Sequence, residues 1–62
     1  MNATLNALIE KRSSLRAERA DLLQKMNDWE LAGRDVTELE AEYEDVMTQL
    51  RAVNAEINTY KA

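Results

Sequence analysis

Three groups of side chains in this 62-residue sequence could do chemistry. Glu38, Glu40, Glu42, Glu44 and Asp45 fall within eight residues, and carboxylates so concentrated could hold a cation. Arg12, Arg16 and Arg19 recur at helical steps and could present guanidinium groups to phosphate. Ser13, Ser14 and Thr48 offer hydroxyls, which act as nucleophiles only beside a base. None of the three develops. Alternation in twos scatters the carboxylates around a helix, so a solvated face is the better reading. No base lies within helical reach of the hydroxyls. The basic stripe lacks interleaved aromatics and sits in a chain of net charge −4, so nucleic acid is not an expected partner. With no histidine and no cysteine there is no imidazole or thiolate ligand, no proton shuttle near neutral pH and no disulfide. No enzymatic activity, catalytic residue, cofactor or metal site is expected.

The elements that hold these residues follow from composition. The sequence has no proline and one glycine, so a helix-favouring chain is broken once, at Gly33. Before the break, Leu5, Leu8, Arg12, Leu15, Arg19, Leu22, Met26 and Trp29 recur at alternating steps of four and three, the spacing of a coiled-coil seam. After it, the same rule selects Val36, Leu39, Tyr43, Val46, Leu50, Val53, Ile57 and Tyr60, all apolar or aromatic. The expected fold is all-α: a helix over about 3–32, a turn over about 33–36 and a helix over about 37–60, as one domain. So short a loop forces the helices back on each other as an antiparallel two-helix coiled-coil hairpin, with arms of about 40–45 Å. Pairing outward from the turn sets Met26 near Tyr43, Leu22 near Val46, Leu15 near Val53 and Leu8 near Tyr60.

The turn has its own chemistry. Gly33 can take the left-handed conformation that closes a helix. Thr37 is expected to cap the second helix, with Glu40 completing a Thr-x-x-Glu capping box and Val36 as the staple residue before it. Glu38 and Glu40 then complement the positive end of the helix dipole.

Two sets of residues point outside the hairpin. Arg12 and Arg19 occupy seam positions where apolar residues would pack better. Their stems can cover the seam while their heads reach neighbouring carboxylates, or they set register or meet acidic groups of another subunit. Ile9 and Leu23, with Arg16 midway, form an incomplete second apolar stripe, and another chain is its expected cover. Trp29 reads as a plug in the core near the turn. A chain this small has a marginal core, so self-association into a helical bundle is the expected completion. The charge is uneven: residues 1–32 hold five basic and five acidic groups, residues 33–62 three and seven. Met1 to Ile9 show no basic region followed by an apolar run, and no stretch is long enough to span a bilayer, so a soluble, unexported chain without a membrane partner is expected.

The order of features resembles the N-terminal scaffolding segment, or delta domain, of tailed-phage major capsid proteins that carry their scaffold fused to the shell protein. The likeness runs through Glu10, Lys11 and Arg12, the turn Ala32, Gly33, Arg34, Asp35, Val36 and Thr37, the acidic stretch from Glu38 to Asp45, and the closing Leu50, Val53 and Ile57. The Gly-Arg-Asp-aliphatic-Thr turn followed by glutamates is its most specific part. The resemblance implies a segment that associates with copies of itself inside the immature shell, guides procapsid assembly and is removed by a maturation protease. It also implies location in the bacterial cytoplasm and contact with capsid shell subunits. The alternative expectation is a small regulatory hairpin that binds and modulates a partner protein.

Overall fold

The computed structural model describes residues 3–61, in two helices: α1, Ala3–Leu31, and α2, Thr37–Lys61. They fold back on each other into a rod of 48 × 15 × 13 Å, an all-α hairpin. Among the described residues seven side chains are buried, and all are apolar: Leu15 and Leu22 from α1, and Leu39, Val46, Leu50, Val53 and Ile57 from α2. Leu5, Leu8, Met26, Trp29, Tyr43 and Met47 are partly buried against them. Along α1 the residues that are not exposed are Leu5, Leu8, Arg12, Leu15, Arg19, Leu22, Met26 and Trp29, the whole seam read from spacing. Burial therefore follows the alternating three-and-four step and nothing else on that helix.

On α2 the seam departs from expectation at one end. Tyr60, the seam position of α2 farthest from the turn, remains 44% exposed. Val36, Met47, Gln49 and Asn54 are half-buried at the margins.

The turn is built from backbone chemistry. Gly33 sits at φ 73°, and its N–H donates to the Glu30 carbonyl (3.0 Å) while Arg34 N–H donates to the Trp29 carbonyl (2.8 Å). These are the paired bonds of a Schellman motif, which satisfy carbonyls that the end of α1 leaves open. The start of α2 requires a correction. Glu40 N–H donates to the Val36 carbonyl (2.9 Å), so Val36 occupies the N-cap position and that amide is not free for the Thr37 hydroxyl. The expected Thr37–Glu40 capping box therefore does not form. Instead Asp35 Oδ1 accepts both the Thr37 N–H (3.0 Å) and the Thr37 hydroxyl (2.6 Å). Asp35 is the residue that ties down the first turn of α2, while Glu38 and Glu40 lie in that turn as carboxylates.

Candidate interaction surface

Four surfaces are built on this frame. The first is the seam, where Arg12 and Arg19 are half-buried. A long side chain at such a site lays its methylene stem along apolar neighbours and keeps its charged head in water.

The second surface is an open groove of about 350 Å³ along one side of the hairpin. Leu22 and Val46 form its apolar lining, and Glu18, Asp21, Lys25, Glu42, Asp45 and Gln49 surround them. Leu22 and Val46 line the same stretch of groove, in keeping with the pairing expected from counting outward from the turn. Of the acidic run, Glu42 and Asp45 face this groove, while Glu44 lines a separate shallow surface with Tyr43, Met47, Thr48 and Arg51. The run is thus divided between faces of α2. Among the described residues no three histidine, cysteine, aspartate or glutamate side chains are arranged to hold a metal ion.

The third surface is the opposite flank. Ile9 is 40% and Leu23 47% exposed, one heptad either side of exposed Arg16. In an antiparallel pair, positions that follow the seam on one helix lie beside positions that follow it on the other. That relation sets half-buried Met47 beside Leu23 and half-buried Asn54 beside Arg16. The flank therefore joins apolar residues of both helices. Leu31, at 82% exposed, stands apart from it near the turn.

The fourth surface is the turn itself. The Arg34 guanidinium lies over the Trp29 ring, 4.0 Å from its centroid. A cation stacked on an indole face adds an attraction to the two backbone bonds beneath it. Trp29 is half-buried, packing one part of its ring on the core and presenting the other to Arg34. Reading Trp29 only as a core plug missed this pair. The signal was present in its spacing, because the third residue from a helix end and the residue just after a closing glycine approach each other. At Asp35 the bond from the Thr37 hydroxyl, and next that from the Thr37 amide, hold the carboxyl below its ordinary value of 3.8 against a smaller opposing effect of burial.

Among the described residues no helix is long and apolar enough to cross a membrane. Comparison with protein-family models, curated proteins and solved structures finds no match to the chain.

Proposed function

We propose that this chain is a structural assembly module, a helical hairpin that works by associating with copies of itself. The observation that carries the reading is the flank on which Ile9 and Leu23 stay 40% and 47% exposed beside half-buried Met47, on a chain with seven buried side chains among its described residues. A chain of this size buries too small a share of its surface to be comfortably stable alone. So few buried residues leave a lone hairpin marginal. Covering the flank with another copy adds apolar burial, and the folded state then gains stability with concentration.

The more specific reading is the scaffolding segment of a tailed-phage capsid protein. It is supported by the turn from Gly33 to Thr37 and the glutamates after it, which resemble that family. On this reading the hairpin acts inside the immature shell in the bacterial cytoplasm, contacting its own copies and the shell subunits until a maturation protease removes it. A module of this kind binds weakly alone and strongly when many copies are tethered to one lattice, because tethering raises the effective concentration.

Sedimentation equilibrium across a wide concentration range, with circular dichroism on the same samples, tests the assembly reading. Mass and helicity are expected to rise together. A chain that stays monomeric, fully helical and stable at every concentration overturns it.

A further inference from the structure

The direction in which a second copy docks is written in how charge is distributed along the rod. On the pairing of Leu22 with Val46, residues 18–50 make up the half that carries the turn, and residues 1–17 with 51–62 make up the half that carries the open end. The turn half holds three basic and ten acidic residues, net −7, and the open-end half holds five and two, net +3. The division between helices hides this polarity, because each helix crosses both halves.

Glu18, Asp21, Lys25, Glu42 and Asp45 border the groove on the other side, and the rest of the turn half is still net −4, so two rods laid side by side with their turns at the same end set acidic half against acidic half and basic half against basic half. Laid in reverse, each acidic half meets the partner's basic half. Groups facing across such a contact lie within the screening length of about 8 Å at physiological salt, whereas the like-charged ends of reversed rods are separated by many such lengths. The near attraction survives screening and the distant repulsion does not.

Resting on the self-association proposed above, we infer that a second copy of this chain docks on the Ile9, Leu23 and Met47 flank in the reversed orientation, turn beside open end. The spacing of the flank suits that arrangement. Ile9 and Leu23 stand equally far from Arg16, so a two-fold axis level with Arg16 brings Ile9 of each copy to Leu23 of the other. Isoleucine and leucine then cover each other at two points along the rod. Arg16 is the one group on the axis that such a contact does not favour, and it holds the association weak.

The sequence has no cysteine, so a single one introduced at an exposed position carries a spin label uniquely. Labels on Ala32→Cys, beside the turn, and on Ser13→Cys, near the axis, read the distance between copies by pulsed electron resonance. In the reversed dimer the Ala32 labels are expected about 45–50 Å apart and the Ser13 labels within about 25 Å. Ala32 labels within about 25 Å of each other would mean turns packed together, overturning the orientation while leaving self-association intact. Ser13 labels beyond about 40 Å would place the contact at the rod ends and overturn the flank. Sedimentation as a single chain at every concentration would remove self-association, and this inference with it. Glu30→Lys with Glu44→Lys, one a heptad beyond Leu23 and the other beside Met47, changes the turn half from net −7 to −3 and leaves the apolar flank residues in place. Its dissociation constant is expected to rise at least tenfold at 0.15 M salt, with helicity at saturating concentration unchanged. An unaltered constant would overturn the electrostatic basis.

Discussion

The two helices contribute unequally to one seam. α2 supplies five of the seven buried side chains and an unbroken apolar line, whereas α1 supplies two, separated by half-buried Arg19, with half-buried Arg12 one step beyond Leu15. Counting back from the pairing of Leu22 with Val46, Arg19 falls opposite Leu50 and Arg12 opposite Ile57. These are among the most deeply buried residues, at 3% and 1% exposed. Deep burial on one helix thus needs only methylene on the other, and arginine stems provide it. The difference also fixes what each helix can do elsewhere: α2 is committed to the seam, while α1 carries basic groups and Ile9 and Leu23 to the surface.

The largest test of this asymmetry is Ile57→Ala. Truncating a fully buried isoleucine removes about 2–5 kcal/mol, a large part of what a domain this small holds. Thermal melting followed by circular dichroism should show loss of the cooperative transition at low concentration. A shift of only a few degrees would mean that the arginine stems close over the cavity, and the two sides of the seam would be less distinct than described.

Replacing Arg12 and Arg19 together by leucine should stabilise the hairpin by about 2 kcal/mol, since apolar side chains take the place of stems whose heads need water. Urea denaturation at matched concentration measures it. No gain, or a loss, would show that the guanidinium groups find partners in the associated state, and the inequality would then belong to the assembly more than to the hairpin.

A smaller effect is expected at the turn. An added Cβ at Gly33 meets nothing within 4 Å, so Gly33→Ala costs only the backbone strain of φ 73°, about 1 kcal/mol. A loss of several kcal/mol in the same urea measurement would mean that the turn, and not the seam, dominates stability.

The smallest effect is that of Asp35→Ala, and it depends on pH. The folded carboxyl titrates below its ordinary value of 3.8 because Thr37 donates two bonds to its charged form. Its contribution is therefore full above that value and disappears as pH falls through the lowered folded value. Melting temperatures of the variant and the natural chain should differ at neutral pH and converge in acid. A gap that persists in acid would assign the difference to helix propensity instead of the bond.

Much of this was legible beforehand, for identifiable reasons. Leu5 to Trp29 obey one step rule, and on a long helix whose second apolar stripe, Ile9 and Leu23, is interrupted by Arg16, that rule decides burial. Tyr60 obeys the same rule yet stays exposed, because a position in a repeat says nothing about how closely the facing helix packs at that level. The cap was misread because Asp35 and Thr37 stand two residues apart and both favour helix starts. Which one serves depends on whether Val36 or Thr37 offers the first helical carbonyl, and a tertiary arrangement of the turn settles that. Met47 reads from spacing as an apolar residue outside the seam, and its place on the same side as Leu23 follows from the pairing of two helices, which no single-helix pattern contains.

The closed turn has a kinetic consequence. Its bonds, Gly33 to Glu30, Arg34 to Trp29 and Thr37 to Asp35, all join residues at most five apart, and so does the stacking of Arg34 on Trp29. Contacts so local form before distant ones, because they close small loops with little loss of chain entropy. Folding therefore begins at the turn and zips towards the open end, each pair of seam residues bringing the next within reach. Unfolding runs the other way: Leu5, Leu8 and Tyr60 separate first, and amide exchange should quicken steadily with distance from Gly33.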